Sequence, residues 1–408
     1  MPPQNLDPQP MLTLLLNAEV YDPRPLGTRY LLVAAGKILW MGEQRPQLDA
    51  SLAVEMRDLG GQRLIPGIID GHAHITGGGG ESGYSSRIPP LPLQRFTRAG
   101  VTTVVGLLGT DDVTRNTASL VAGARGLREE GLSAYCHTGG YHVPPITLTG
   151  GVRSDIVHID PIIGVGEVAI SDHRSSQPTL DELLRIAADA HVAGMMTGKA
   201  GIVHLHLGDG ERGLQLVRQA LDQSEIPARV FNPTHVNRRR ELFDEALAVA
   251  ERGCSIDVTA YPVREGHRED NTGWSAEEAV IRYLDSGLPD QRITVSSDGG
   301  GCLPQFDADG ALLHMDVGSP GILADTLGKL LAGGMALERV LPAFTSNPAR
   351  LLRLHHKGTI RPGADADLVV LGEDASVRHV MARGRWHLLD GEVMIRSTIQ
   401  ATSEDRDE

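Results

Sequence analysis

The chain has 408 residues, of which 41% are hydrophobic and 22% charged, and this globular composition excludes a disordered chain. Its 48 glycines and 24 prolines follow no G-x-y period, so a collagen is excluded and many turns are expected. Lys+Arg 38 against Asp+Glu 52 gives a formal net charge of −14, without the overall basic footprint that nucleic acid or anionic lipid selects.

The chain opens Met1-Pro2-Pro3-Gln4, with no basic stretch before Met11–Leu16, so no signal peptide is expected. No apolar run approaches the roughly 18–20 residues that span a bilayer, so no membrane partner is expected. Residues 11–65 read as short strands: Leu12–Val20, Tyr30–Val33 and Lys37–Met41, parted by Asp22-Pro23 and Ala35-Gly36. Eight apolar runs follow. They are Leu64–Ile69, Val101–Leu108, Ser133–His137, Ile162–Ile170, Gly201–Leu207, Arg229–Asn232, Ser255–Ala260 and Ile293–Ser297. Most are separated by segments of 3.6-residue period: Asp111–Glu130, Thr179–Ala193, Glu211–Gln223, Glu241–Arg252 and Ala276–Ser286. Residues 143–160 are the weakest helix candidate, broken by Pro144, Pro145 and Gly150-Gly151. Continuous apolar strands alternating with helices indicate a parallel sheet covered on both faces. Eight such units predict an α/β protein with a (β/α)8 TIM-like barrel. Residues 366–397 return to strand patterns, with a turn at Arg383-Gly384. The two β-rich ends predict one small β-sandwich module, residues 1–65 with 357–408, around a barrel of residues 66–356.

Cys136, Cys254 and Cys302 are an odd number and form no C-x-x-C pair, so a disulfide framework is not expected and a reducing cytoplasm is. Histidine stands out at 16, with several inside the apolar runs. Barrel enzymes place their chemistry where strands end. The first strand ends Asp70-Gly71-His72-Ala73-His74, and residues two apart on a strand share a face, so both imidazoles point into the barrel mouth. His206, His235 and Asp298 stand at three further strand ends. Nitrogen and oxygen donors without thiolate suit Zn²⁺, with other divalent ions possible. Glu167 sits inside the apolar run Ile162–Ile170, where an unpaired carboxylate is costly. A paired Glu–Arg is one explanation. A carboxylate bridging two metals is the other, and five or six ligands are more than one Zn²⁺ takes.

The run Leu64-Ile65-Pro66-Gly67 before Gly71-His72-Ala73-His74, with the closing stretch Gly358–Leu368, resembles the amidohydrolase superfamily. Over nearly its whole length the chain resembles the bacterial isoaspartyl (β-aspartyl) dipeptidases. The motifs are Gly77–Gly80 with Glu81, Val104–Asp111, Gly140–Pro144, Ser171–Ser175, Pro233–Arg238 and Ser296–Gly299. The resemblance implies a metallo-dipeptidase with two zinc ions. His72 and His74 would ligate one and His206 and His235 the other, while Asp298 touches the first metal and acts as general base, then acid. Tyr141 would steady the oxyanion, Glu81 would bind the substrate's α-ammonium, and Arg174 and Arg238 its carboxylates. Thr110 and Cys302 would also contact substrate. A homo-oligomer, often an octamer, is implied as well.

Two positions depart from the family. Glu167 stands where a carboxylated lysine usually bridges the metals, and its shorter stem requires the strand to come closer, which Gly164 and Gly166 permit. Lys199, the other lysine of the region, reads as loop. Cys302 stands where a serine is common, and a thiol donates weaker hydrogen bonds. His204 is expected to pack behind the metal ligands. Asp172 and Asp209 read as helix caps. His137, His142 and His173 receive no role, and His355, His356, His379 and His387 are expected to be exposed. The alternatives are another amidohydrolase reaction, on a cyclic amide or an N-acyl amino acid, or a metal-binding relative without catalysis. Glu81 discriminates, since a substrate without an ammonium gives it no purpose.

Overall fold

A computed structural model describes residues 12–261, 273–306 and 312–398. The eight expected barrel strands are Ile68–Ala73, Val101–Gly106, Ser133–Thr138, Ile162–Ser171, Val203–Leu207, Phe231–Thr234, Ile256–Thr259 and Ile293–Ser296. The first six form one parallel sheet in chain order, and the last two pair in parallel. The ring closes at its mouth. His74 N donates to Gly299 O at 2.8 Å and Asp298 N to His72 O at 3.1 Å, so the first strand's end is bonded to the chain leaving the eighth. The strands are buried along their length, as an all-parallel sheet under helices requires.

The helices follow the periodicity, with shifts that have local causes. Thr117–Glu129 starts six residues after the expected Asp111. Asn116 caps it in a reciprocal capping box with Ser119, while Asp111 is held in the loop by Thr114 and Arg115. Leu180–Thr197 starts from the Thr179–Glu182 capping box and stops at Gly198 in the left-handed conformation. The weakest candidate segment holds a two-turn helix at Val152–His158, after its prolines and glycines have been passed. The sixth strand lies two residues later than expected, so His235 follows it directly. A hairpin of Cys302–Phe306 and Leu312–Val317 after the eighth strand was not apparent from the sequence.

The terminal strands form one separate sheet of nine strands, in which Leu12–Asp22 pairs with three neighbours. Leu368–Leu371, from the C-terminal end, pairs with Arg63–Pro66, from the N-terminal end. Its alternation explains its Leu-Val-Val-Leu sequence. Leu368 and Val370 join the terminal sheet's own apolar cluster with Val33 and Trp386, whereas Val369 and Leu371 join the barrel core. His379 and His387 are buried too, His379 opposite Val370 with its ring 6.0 Å from that of Trp386, and His387 beside Gly131. Their expected exposure is therefore wrong: they are 5% and 0% exposed, and burial followed by the nearby Arg385 pushes His387 down to about 3.

A buried cation links the two layers. Lys357 Nζ lies 2.5 Å from Asp367 Oδ2 and 2.7 Å from Asp365 Oδ2, and it donates to Ser133 Oγ, on the third barrel strand, at 2.6 Å. Lys357→Met would leave Asp367 buried without its cation. A loss of about 3–5 kcal/mol of unfolding free energy is expected in urea denaturation. A change under about 1 kcal/mol would show that the triad does not join the layers.

Candidate active site

The barrel mouth gathers residues from most of the strand ends around Glu167, which is 1% exposed. Its two oxygens face different histidine pairs. Oε1 lies 3.6 Å from His72 Nε2 and 3.4 Å from His74 Nε2. Oε2 lies 2.9 Å from His206 Nδ1 and 3.3 Å from His235 Nε2. Asp298 Oδ1 joins the first pair, 3.4 Å from His72 Nε2 and 3.1 Å from His74 Nε2. Two ligands about 2.1 Å from one tetrahedral ion lie about 3.4 Å apart. The spacings of His72, His74 and His235 from Glu167 are close to that figure, while His206 Nδ1 stands at hydrogen-bond distance from Oε2. Among the described residues, His72 Nε2 and Asp298 Oδ1 are buried with no hydrogen-bond partner, as donor atoms aimed at a common ion would be. His72, His74 and Asp298 converge as one candidate cluster, and His72, Glu167 and His235 as a second. The residues present therefore fit metal binding.

Close packing brings the short Glu167 stem to this point. A Cβ on Gly166, whose φ is +149°, would stand 2.6 Å from His204 O on the fifth strand. A side chain there would push the two strands apart. Lys199 lies at the other end of the fifth strand, where its Nζ donates to Ile156 O at 2.6 Å and Ile159 O at 2.7 Å. It is not in reach of the cluster.

His235 and Asp298 both hold left-handed backbone conformations, at φ 60° and 51°. Such strain collects at functional positions and persists where surroundings enforce it. Around Asp298 the enforcement is visible, since a Cβ on Gly301 would stand 2.1 Å from Asp298 Oδ1. Burial opposes the charge on Asp298, but His72 and His74 outweigh it and hold the carboxyl far below its usual range. Glu167 is likewise held ionised against burial, by His72 and His206.

A narrow cleft lies above this cluster. Glu81, Thr110, Tyr141, Arg174, Arg238 and Cys302 all line it together with His74, Glu167, His206 and Asp298. Tyr141 places its hydroxyl 2.9 Å from His206 Nδ1, and burial followed by Glu167 keeps that hydroxyl protonated. Glu81 Oε1 lies 3.5 Å from Arg174 Nη1, and its Oε2 is buried with no hydrogen-bond partner among the described residues. Cys302 touches Glu81, and burial followed by that carboxylate raises its thiol pKa, so the thiol stays neutral. Arg238 stacks over Tyr261 at 5.7 Å and donates to its hydroxyl at 3.3 Å.

Asp172 and Asp209 do not cap helices as expected, since the N-caps of the helices that follow them are Thr179 and Leu214; Asp172 is instead turned into the site. Its Oδ1 accepts from Arg174 Nε at 2.9 Å, and its Oδ2 from Arg174 Nη2 at 2.6 Å. The same Oδ2 lies 2.9 Å from His206 Nε2. One carboxylate thus fixes both a cleft arginine and a candidate ligand. The signal was available: Asp172 stands one residue past the fourth strand, at the catalytic end of the barrel. Thr259, whose Oγ1 lies 2.7 Å from His235 Nδ1, carried no comparable signal. Asp209 pairs with the exposed His173 at 2.6 Å, His142 pairs with Asp112 at 2.5 Å, and His355 and His356 are exposed.

A parallel barrel carrying histidine pairs and a buried carboxylate at its mouth defines a metal-dependent hydrolase class. The amidohydrolase family model matches residues 63–387, and the chain belongs to that family. Its members are metal-dependent hydrolases. It is similar to the β-aspartyl dipeptidase of the thermophilic, keratin-degrading Fervidobacterium islandicum AW-1, solved in complex with β-Asp-Leu. The two share 42% identity over 94% of this chain and 98% of that one, at a TM-score of 0.89. It is also 33% identical to an imidazolonepropionase of Ruegeria pomeroyi, over 88% of this chain and 91% of the relative. A D-hydantoinase of Thermus sp., 18% identical at a TM-score of 0.65 over 95% of this chain and 97% of that one, shares the fold. Among the described residues no helix is long and apolar enough to cross a membrane.

Asp172→Ala would free His206 and Arg174 together. It is expected to weaken zinc binding by about 10–100-fold, as loss of a ligand-orienting partner does, in competition with a chromophoric chelator. Unchanged zinc affinity would show that Asp172 does not hold His206 for a metal.

Proposed function

We propose that the chain is a binuclear metallo-dipeptidase that hydrolyses β-aspartyl (isoaspartyl) dipeptides in this cleft. The observation that carries the reading is one buried carboxylate shared between two histidine pairs, beneath a cleft holding Glu81, Arg174 and Arg238. The likeness to a β-aspartyl dipeptidase solved with β-Asp-Leu supports it. His72, His74 and Asp298 would hold one zinc ion and His206 and His235 the other, with Glu167 bridging them in place of a carboxylated lysine. Bound there, the ions supply an acidified water and Lewis-acid polarisation of the amide carbonyl.

The chain's own groups do the rest. Asp298, held ionised, takes the proton of the attacking water and returns it to the leaving amine. Tyr141, held protonated, donates to the carbonyl oxygen as negative charge develops there. A β-aspartyl dipeptide presents an α-ammonium, a free α-carboxylate and a C-terminal carboxylate. Glu81 binds the first, and Arg174 and Arg238 bind the other two. Thr110 and the neutral Cys302 thiol complete the wall. Asp172 keeps Arg174 extended, so part of the ordering that binding demands is done before substrate arrives. The same reading takes the enzyme as a cytoplasmic homo-oligomer, an octamer by resemblance. It divides the chain into residues 1–65 with 357–408 and a barrel of 66–356.

The test is hydrolysis of β-Asp-Leu and α-Asp-Leu side by side by the zinc-loaded protein. Turnover of the β form alone is expected, and Glu81→Gln should lower kcat/KM about 10–100-fold, as loss of one hydrogen bond between charged groups does. Equal rates on both dipeptides, or turnover only of a cyclic amide or an N-acyl amino acid, would overturn the reading.

A further inference from the structure

Behind the first histidine pair a chain of hydrogen bonds runs across four strands of the barrel. His72 Nδ1 lies 2.9 Å from His204 Nε2, on the fifth strand. His204 Nδ1 lies 2.7 Å from Asn232 Oδ1, on the sixth. Asn232 Nδ2 donates at 2.9 Å to Ser255 O, just before the seventh. The polarity of this chain is set at its far end. A backbone carbonyl only accepts, so Asn232 turns its amino group to Ser255 and its carbonyl oxygen to His204. That oxygen also only accepts, so His204 donates from Nδ1 and, as a neutral imidazole, keeps its lone pair on Nε2. The lone pair takes the hydrogen of His72 Nδ1. The His72 lone pair is left on Nε2, the atom that faces Asp298 and Glu167.

We infer that His204 and Asn232 are positioning residues, a relay of fixed polarity that carries the orientation of the Ser255 carbonyl to His72 and holds it in the tautomer that ligates through Nε2. The inference rests on the binuclear reading of the site. The nearest competing acceptor is engaged elsewhere. Asp257 comes within ligand reach of His72 and His204, but it accepts from Thr234 at 2.7 Å, Thr294 at 2.6 Å and Ser296 at 2.5 Å. His137 stacks on the other imidazole at 5.6 Å between centroids and 30° between planes, which fixes the plane of the His204 ring. The relay also has a chemical consequence. The usual carboxylate behind a metal-bound histidine raises its basicity. A neutral imidazole orients His72 without adding a third negative charge beside Glu167 and Asp298.

The test uses the full chain and three variants. His204→Phe keeps the ring and removes the acceptor, His204→Gln returns an acceptor at similar reach, and Asn232→Leu leaves His204 without its fixed polarity. Zinc affinity is read by chelator competition, and the melting temperature is read on metal-free protein. One of the two zinc affinities should fall about 10–100-fold in His204→Phe, recover in His204→Gln and fall by a smaller factor in Asn232→Leu, with metal-free melting temperatures unchanged. Hydrolysis lost by His204→Phe should return on raising zinc. Two zinc ions bound by wild type with equal affinities in wild type and His204→Phe would overturn the relay and leave the binuclear reading standing. Lower zinc affinity that tracks a lower metal-free melting temperature in all three variants would show a structural role and also overturn it. A wild type that binds no zinc would overturn both.

Discussion

A carboxylate placed midway along a barrel strand carries a desolvation penalty of several kcal/mol unless positive charge surrounds it. Glu167 is such a group, and much of the barrel mouth is arranged around it. Four imidazoles approach its two oxygens, and a second carboxylate, Asp298, faces two of those imidazoles from the far side. Without cations the cluster holds two negative charges against histidines that must share the compensating protons. With a divalent ion on each side the same geometry is neutralised directly, which is the sense in which the fold and the chemistry impose one requirement.

That requirement reaches into packing well below the site. Gly166 lets the fourth and fifth strands approach until no side chain fits between them, next to the point where Glu167 enters the site. Asp298 and His235 are held in left-handed conformations at strand ends. Gly301 fits against Asp298, and the backbone of Asp298 and Gly299 is bonded to the first strand, so ring closure and carboxylate placement are a single event. Behind the cluster, Asp172, Thr259 and the His204–Asn232 pair contact the outward-facing nitrogens of His206, His235 and His72. The terminal sheet stands outside this arrangement and supports it through Val369, Leu371 and the Lys357 triad.

The strands were legible because each is buried on both faces and so reads as a continuous apolar run. The candidate cluster was legible because its histidines and carboxylates interrupt those runs at the same end. Glu167 was conspicuous for the same reason, as a charge where an apolar residue belongs. What did not show in the sequence depends on contacts between distant segments. His379 and His387 look like surface residues until the residues packed against them, Trp386 for one and Gly131 for the other, are known. Asp172 next to Arg174 looks like a helix cap until His206, 34 residues on, is seen to touch it. The role of Thr259 and the direction of the His204–Asn232 relay have no local pattern. They follow from which strands neighbour one another and from which atoms can only accept.

The most direct measurement is anomalous diffraction at the zinc edge from crystals of wild-type protein prepared without bicarbonate. Two ions per chain, about 3.5–4 Å apart with one oxygen of Glu167 on each, are predicted. A single ion, or two ions bridged by something other than Glu167, would contradict the account.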